Sequence, residues 1–207
     1  MKKGLFISLE GPDGSGKTTV TSLLYEKLKA SNYDCIHTRE PGGIEIAEQI
    51  RKIILDPQNT NMDAKTEALL YAASRRQHLV ERVIPALNED KIVLCERFID
   101  SSLAYQGYGR KIGFEAIYDI NIFAIEDYFP DITIYLDVDE KTGLKRIESR
   151  NDKDRLDLET IDFHHRVNEG YQEVLRRFKD RIKIVDASKA LEDVVSECMD
   201  IILKEVS

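Results

Sequence analysis

A glycine-rich segment near the start of the sequence has the residue types and spacing of a phosphate-binding loop. Residues 11–18 read Gly-Pro-Asp-Gly-Ser-Gly-Lys-Thr and fit the pattern GxxxxGK(S/T). Its glycines let successive backbone N–H groups converge on phosphate oxygens, while Lys17 can reach the outer phosphates and the Thr18 hydroxyl can ligate Mg²⁺. These features predict a nucleoside triphosphate site formed by Gly11, Pro12, Asp13, Gly14, Ser15, Gly16, Lys17, Thr18 and Thr19.

A second candidate for chemistry is the pair Glu96-Arg97, which directly follows the apolar run at residues 92–95. Such a pair alone is more often a surface ion pair. Its position at the carboxyl end of a predicted strand favours a site, because ligands bind at that edge of an open α/β sheet. Phosphoryl transfer depends on a metal ion and on fixed cations. We therefore expect Glu96 to hold or orient Mg²⁺ and Arg97 to bind an acceptor phosphate.

The elements that must position these residues alternate along the whole sequence. Strand-like apolar runs occur at residues 5–9, 35–38, 92–95, 132–136 and 182–185. Between them, apolar residues recur at helical spacing in segments that contain Val20, Ala47, Leu69, Ile117, Val167 and Leu191. Short strands that are apolar on both sides and separated by helices predict an α/β fold, with a parallel sheet covered by helices on both faces.

Length and composition are those of one globular domain spanning residues 1–207. The formal net charge is −8, with 42% hydrophobic and 33% charged residues. This acidic balance argues against nucleic-acid binding, which usually needs a basic face. The first apolar run is too short for a membrane span of about 20 residues. Cys35, Cys95 and Cys198 lie far apart, which favours buried reduced thiols and a cytoplasmic location.

A polar, charged stretch at about residues 148–157 interrupts this pattern. It can be read as a solvated loop, or as a mobile cover over a site.

A phosphate loop also occurs in regulatory switch proteins that bind guanine nucleotides. That alternative is disfavoured because the sequence lacks the NKxD motif of such proteins.

Several motifs together resemble the bacterial thymidylate kinase family. They are the phosphate loop, Thr-Arg-Glu-Pro-Gly-Gly at 38–43, Glu-Arg-Phe at 96–98, and Asp-Ser-Ser-Leu-Ala-Tyr-Gln-Gly at 100–107. The similarity spans essentially the whole chain. It implies MgATP-dependent phosphoryl transfer to dTMP, giving dTDP, by a homodimer with a P-loop nucleoside monophosphate kinase fold.

The resemblance also implies roles for individual residues around the acceptor. It places Arg97 on the dTMP phosphate, with Arg51 and Glu40 close by. Asp13 matches an acidic residue that meets the sugar 3′-hydroxyl, and Tyr105 matches a ring that crowds the 2′ position.

Four further positions match the family residues that contact the base. Arg75, Ser102 and Gln106 correspond to hydrogen-bonding partners of the thymine edge, and Tyr71 corresponds to an aromatic ring stacked on it. Each has a simpler alternative: Tyr71 lies in an apolar helical stripe and could be a core residue, while Arg75 could be a solvated helix charge.

The sequence departs from the family pattern at the end of the third strand, where Phe98 also replaces a frequent Tyr. Glu96 stands where most members have Asp, so its contact to Mg²⁺ could be direct or through water. Ser15 stands where another branch of the family has a catalytic Arg. The resemblance then assigns that charge to the lid, where Arg150, Lys153 and Arg155 are available; we expect Arg150 and Arg155 to be catalytic.

Two rival functions stay open at this level. In a deoxynucleoside kinase, Glu96 would act as a base on a hydroxyl group and an acceptor-phosphate clamp would be superfluous. A non-catalytic nucleotide-binding switch would bind nucleotide without turning over any small acceptor.

Overall fold

The fold is built on a parallel β-sheet. The computed structural model describes residues 4–148 and 154–206 of the chain. The strands are β1 (Leu5–Glu10), β2 (Cys35–Arg39), β3 (Ile92–Glu96), β4 (Ile132–Asp137) and β5 (Ile182–Asp186). They pair in the order β2-β3-β1-β4-β5, and every described pairing is parallel.

Helices connect the strands. They are α1 (Lys17–Ala30), α2 (Glu45–Leu55), α3 (Ala64–His78), α4 (Ile84–Asn88), α5 (Ile99–Ser102), α6 (Phe114–Ile125), α7 (Glu140–Glu148), α8 (Ile161–Arg177) and α9 (Leu191–Val206). Two further stretches have π-helical hydrogen bonding: Leu79–Val83, between α3 and α4, and Leu103–Gly109, directly after α5. Asp63 and Thr160 cap α3 and α8, because their side-chain oxygens accept hydrogen bonds from first-turn N–H groups.

Side chains along each strand alternate between two hydrophobic cores. In β1, Phe6 packs in the core that includes residues of α3, α6 and α8. Its neighbour Ile7 packs in the opposite core, which includes residues of α1 and α9. Since both faces of the sheet are covered, the strands are apolar on both sides, as their sequences predict.

The predicted fold class is confirmed, and each predicted strand lies within one residue of the observed bounds. The elements that were not predicted are the short helices α4 and α5, helix α7, and the π-helical stretch Leu103–Gly109. Helix α7 is highly polar in sequence, so it lacks the apolar stripe on which a helix prediction depends. The π-helical stretch Leu103–Gly109 contains two glycines and no periodic signal that distinguishes it from a loop.

The strand order brings separate chain segments to one edge of the sheet. Because β1 pairs with β3, Leu9 lies beside Glu96; because β2 pairs with β3, Arg39 lies beside the same residue. The segments that follow β1, β2 and β3 therefore leave the sheet side by side. These segments are the phosphate loop, the turn that begins at Glu40, and the turn that begins at Arg97.

Cys35, Cys95 and Cys198 are all buried and unbonded, which confirms their prediction as free thiols. Among the described helices, none combines the length and the apolar character needed to cross a bilayer.

A buried ion pair joins α5 to the start of β5. Arg181 donates from Nη1 and Nη2 to the two carboxylate oxygens of Asp100, at 2.8 and 2.6 Å. The Asp100 side chain is 1% exposed and that of Arg181 is 14% exposed. Thr133 of β4 also contacts both residues. The pair therefore ties the turn after β3 to the far side of the sheet.

Replacing Arg181 with Met should lower the free energy of unfolding by about 3–5 kcal/mol, because it leaves the Asp100 carboxylate buried without a counter-charge. Arg176→Met is the matched control: it removes a two-point contact to Glu173 from an arginine that is 70% exposed. That change should cost less than about 1 kcal/mol. Urea unfolding followed by circular dichroism measures the free energy of unfolding of both variants. Equal losses of that free energy would contradict a structural role for the ion pair between Arg181 and Asp100.

Candidate active site

A cavity of about 510 Å³ opens at the carboxyl edge of the sheet. Its volume falls in the range of small-ligand sites, about 300–1,000 Å³. It is lined by segments far apart in the sequence, from the phosphate loop to the turn that follows residue 153. Among the residues that the sequence singled out, it brings together Asp13, Thr18, Glu40, Arg51, Tyr71, Arg75, Glu96, Arg97, Ser102, Tyr105 and Gln106.

The phosphate loop runs from the end of β1 to the start of α1, in a conformation that depends on glycine. Gly14 has a φ of 81°, and a Cβ there would lie only 2.4 Å from the carbonyl oxygen of Gly143 in α7. A second cavity of about 240 Å³ lies beside this loop, at the N-terminus of α1. Its lining includes Gly14, Gly16, Lys17, Thr18 and Thr19. This arrangement suits an anion, because a helix N-terminus carries positive potential.

Lys17 is folded back onto the phosphate loop. Its Nζ donates to the carbonyl oxygens of Gly11 and Pro12 at 2.9 and 2.8 Å, and to Ser15 Oγ at 3.3 Å. Burial, together with the nearby Arg97 guanidinium, lowers the pKa of Lys17 to about 7. Phosphate oxygens entering the loop would supply negative charge to this ammonium group and so favour its charged form.

Thr18 and Glu96 form the oxygen-rich corner of the site. Thr18 Oγ1 donates a 2.8 Å hydrogen bond to Glu96 Oε1. Both residues line both cavities. Hydroxyl and carboxylate oxygens are ligands that Mg²⁺ accepts, so this donor set fits that ion.

Arg97 lies where the two cavities meet, and its backbone adopts a φ of 64°, which is uncommon for a residue other than glycine. Its guanidinium pairs with the Asp13 carboxylate and lies over the Tyr105 ring, 5.1 Å from the ring centroid. Tyr105 in turn donates to Asp13 Oδ2 at 2.7 Å. Asp13, Arg97 and Tyr105 therefore form one interlocked group at the junction.

Arg51 is a cation on the cavity wall without a carboxylate partner among the described residues. Its Nη1 donates to the Pro41 carbonyl oxygen at 2.9 Å. Burial and the nearby Arg39 lower the pKa of Arg51 from its ordinary value. Arg39 also lines the cavity, although it is paired with Glu48 at 2.8 Å. Sequence reasoning did not single out Arg39 as a site residue, even though it belongs to the motif at 38–43.

Arg75 is held by several partners at once. It donates to Glu40 Oε2 at 2.6 Å, to Ser102 Oγ at 3.1 Å and to the Phe98 carbonyl oxygen at 2.9 Å, and it also pairs with Asn121. The residue is 2% exposed, so the alternative reading as a solvated helix charge is wrong.

Tyr71 is half-buried between the core and the cavity. It packs against core residues, as the simpler reading expected, and it also lines the cavity. Burial raises the pKa of its hydroxyl, so the ring stays neutral at ordinary pH.

Gln106 lies in the π-helical stretch after α5 and is 1% exposed. Its Nε2 donates to Glu67 Oε1 at 2.8 Å. Glu67 was not singled out from the sequence, where it looks like an ordinary first-turn helix acid.

Arg155 is not brought to the phosphate loop in this structure. Its Nη2 donates to Glu67 Oε2 at 2.5 Å and its Nε donates to the Ile54 carbonyl oxygen at 2.8 Å. The neighbouring residues Asp154 and Leu156 line the larger cavity. Arg150 and Lys153 lie outside the described residues.

Glu10, the last residue of β1, is a buried carboxylate that sequence reasoning missed. It accepts hydrogen bonds from the backbone N–H of Phe98 at 2.6 Å, from the Ser101 hydroxyl at 2.6 Å and from the Tyr171 hydroxyl at 3.2 Å. Burial and the nearby Asp100 raise the pKa of Glu10 to about 7. A charged residue at the end of an apolar strand was the available signal.

Arg146 of α7 was also missed. Its Nη1 donates to the Gly14 carbonyl oxygen at 2.8 Å, and its side chain lines the smaller cavity. Its helix was not predicted, so no sequence signal placed this arginine near the phosphate loop.

Glu40, His78 and Cys95 form a buried group whose potential ligand atoms lie within 4.8 Å of one another. Their hydrogen-bonding capacity is already used: His78 contacts Thr38 and Glu40, and the other Glu40 oxygen binds Arg75. This group is better explained as a hydrogen-bond network than as a metal site, since the Arg75 guanidinium already supplies the positive charge.

Comparisons with known proteins give one consistent answer. The family model described as thymidylate kinase matches residues 9–198. The chain is 56% identical over 199 residues to the thymidylate kinase of Clostridium novyi, covering 95% of this chain and 97% of that protein. It is 57% identical over 201 residues to the thymidylate kinase of Bacillus velezensis, covering 96% and 95%. A crystal structure of thymidylate kinase from Ehrlichia chaffeensis matches with a TM-score of 0.79 and 33% identity, over 97% of this chain and 98% of the other.

Proposed function

The chain belongs to the thymidylate kinase family, so it phosphorylates dTMP to dTDP, and we propose that it transfers the γ-phosphoryl group of MgATP at the junction of its two cavities. The observation that carries this proposal is that Asp13, Thr18, Glu96 and Arg97 line both cavities. A donor in the smaller cavity and an acceptor in the larger one would therefore present their phosphates to the same residues.

The donor side consists of the phosphate loop and the start of α1. Backbone N–H groups of the loop bind the ATP phosphates, and Lys17 exchanges its loop carbonyl contacts for phosphate oxygens. Thr18 and Glu96 would hold Mg²⁺, which neutralises charge on the phosphates during transfer. Arg146 supplies further positive charge beside Gly14.

The acceptor phosphate binds between Arg97 and Arg51. Arg51 suits this role because its guanidinium reaches the cavity without a carboxylate partner among the described residues. Arg97 is paired with Asp13, which orients its guanidinium while leaving it at the junction of the cavities. Glu40 contributes indirectly, because it holds Arg75 rather than a phosphate.

The nucleoside part of dTMP fills the rest of the larger cavity. Tyr71 provides a flat wall for the base, while Arg75, Ser102 and Gln106 provide polar atoms at its edge. Asp13 accepts a hydrogen bond from the sugar 3′-hydroxyl, and the Tyr105 ring restricts the space at the 2′ position. The tight packing of Tyr105 against Asp13 and Arg97 supports this discrimination against ribose.

We keep the interpretation that residues 1–207 form one domain with a lid at about 148–157. Arg150 and Arg155 remain the proposed catalytic cations of that lid. For Arg155, this role requires its ion pair with Glu67 to open, because one guanidinium cannot serve Glu67, the Ile54 carbonyl and a distant phosphate together. Arg150 itself lies outside the described residues, so its role stays a prediction.

The proposed homodimer is supported by an apolar face on α2, α3 and α6. These helices pack in series, α2 on α3 and α3 on α6. Their exposed side chains include Phe123, which is 89% exposed, and Ile46, Ile53 and Leu69. Large apolar patches on one face usually mark an association surface. A second copy of this chain is the proposed partner, and a cytoplasmic location is the proposed compartment.

Replacing Lys17 with Ala should lower kcat for dTMP by on the order of a thousandfold, because a positioned cation on the transferring phosphoryl group is lost. Lys29→Ala, at the exposed end of the same helix, is the control and should keep wild-type turnover. A coupled ADP-release assay measures both. Near-normal turnover of Lys17→Ala would rule out the assignment of the phosphate loop.

Replacing Arg51 with Met should raise KM for dTMP by roughly ten- to a hundredfold, since a charge-assisted phosphate contact contributes about 1.5–3 kcal/mol. KM for ATP should change little. Lys52→Met, the exposed neighbour on the same helix, is the control. Binding of thymidine, which lacks the phosphate, should be unchanged by Arg51→Met. Efficient phosphorylation of thymidine by the wild-type enzyme would instead support the deoxynucleoside kinase alternative.

Replacing Phe123 with Asp should convert the dimer to a monomer, because it places a carboxylate within the proposed apolar interface. Ile184→Asp on the edge strand β5 is the control, since Ile184 is also exposed but lies outside the three-helix face. Sedimentation velocity gives the oligomeric state. A wild-type monomer, or a dimer that survives the Phe123 change, would exclude this surface.

A further inference from the structure

Glu67 accepts hydrogen bonds from three side chains beside the acceptor cavity. Its Oε1 accepts from Gln106 Nε2 at 2.8 Å and from Arg110 Nε at 3.2 Å. Its Oε2 accepts from Arg110 Nε at 3.0 Å and from Arg155 Nη2 at 2.5 Å. The Glu67 side chain is 1% exposed, so these contacts are shielded from water.

The charge of Glu67 is stabilised by these partners. Burial alone would raise its pKa, but the hydrogen bonds from Arg110, Gln106 and Arg155 bring the pKa below its usual value. Glu67 is therefore an ionised carboxylate at ordinary pH, and an ionised carboxylate only accepts hydrogen bonds.

This charge determines how the Gln106 amide is oriented. Because Glu67 cannot donate, the amide must turn its NH₂ group toward Glu67, which leaves Oε1 as the atom available to a ligand. Gln106 lines the larger cavity, and within the described part of the chain its Oε1 has no hydrogen-bond partner. The cavity thus presents a hydrogen-bond acceptor at this position.

An acceptor at the base edge selects among pyrimidines. Thymine carries an N3–H donor, whereas N3 of cytosine is an acceptor. An acceptor that faces N3 of cytosine leaves two buried lone pairs without a hydrogen, and such mismatches discriminate strongly.

We propose that Glu67 is a specificity-determining positioning residue, which locks the Gln106 amide with Oε1 toward the base and so makes the enzyme require an N3–H. The proposal rests on the proposed function, since it needs the base to bind beside Gln106. Glu67 does not touch the base; it acts through Gln106.

The test compares dTMP with 5-methyl-dCMP, which keeps the methyl group and changes only the hydrogen-bonding edge at N3 and C4. In Glu67→Gln, the new amide keeps its oxygen toward Arg155 and Arg110 and turns its NH₂ toward Gln106. The Gln106 amide then turns over and presents its own NH₂ to the base. The ratio of kcat/KM for dTMP to that for 5-methyl-dCMP should fall at least about tenfold, while KM for ATP stays the same.

Two controls separate positioning from a general loss of structure. Glu159→Gln removes the outer partner of Arg110, at 2.6 Å, without touching Gln106, and should leave the ratio unchanged. In a Gln106→Ala background, the Glu67→Gln change should have no further effect on the ratio. The proposal is overturned if the ratio in Glu67→Gln stays within twofold of the wild-type ratio. It is also overturned if Glu67→Gln lowers the ratio by the same factor when Gln106 has already been replaced with Ala.

Glu67→Asp covers the case in which Glu67→Gln does not fold. It keeps the negative charge for Arg110 and Arg155, whose long side chains can follow it, but withdraws the carboxylate from Gln106. The ratio should again fall, and an unchanged ratio overturns the proposal. The wild-type measurement keeps the two hypotheses distinct. If the wild-type enzyme does not phosphorylate dTMP, the proposed function is refuted. If it does, but the ratio does not change in the Glu67 variants, only this inference is refuted.

Discussion

The buried carboxylate of Glu10 is the contact on which the site depends most. It lies at the end of the central strand and binds the backbone of Phe98, the hydroxyl of Ser101 and the hydroxyl of Tyr171. It therefore fixes the turn after β3 relative to β1 and α8. Arg97 holds its left-handed backbone conformation in that turn, because the residue after it is anchored to Glu10. This anchor therefore helps to hold Arg97 beside Asp13 of the phosphate loop.

The arginines around the site divide into two groups by what neutralises them. In this structure Arg75, Arg155 and Arg181 are paired with buried carboxylates, and these ion pairs stabilise the walls of the cavity. Arg51 has only a carbonyl contact among the described residues, so its charge is directed to a ligand. Burying charges is costly unless each is paired. The pairing therefore distinguishes these three arginines from Arg51, whose guanidinium suits the binding of a phosphate.

The site is largely prearranged before any substrate enters. Asp13, Arg97 and Tyr105 hold one another, and Thr18 already contacts Glu96. Fixed dipoles and charges lower a reaction barrier because they need little reorganisation when the charge on the reactants shifts. Lys17 is the exception, since its loop contacts must be exchanged for phosphate oxygens. The lid supplies the remaining charge in the proposed mechanism, and only its end near Arg155 is described.

The strands, most helices and the phosphate loop could be predicted from the sequence, because each depends on local periodicity or on a contiguous motif. The resemblance to a known family added the residues around the acceptor, and the structure brings most of them to one cavity. What only the tertiary structure decided is which charges meet. Tyr171 binds Glu10 across 161 positions of the chain, and Arg155 binds Glu67 across 88. Residue type shows that a carboxylate needs a partner, but distant partners are selected only when the parallel sheet brings their segments to the same edge.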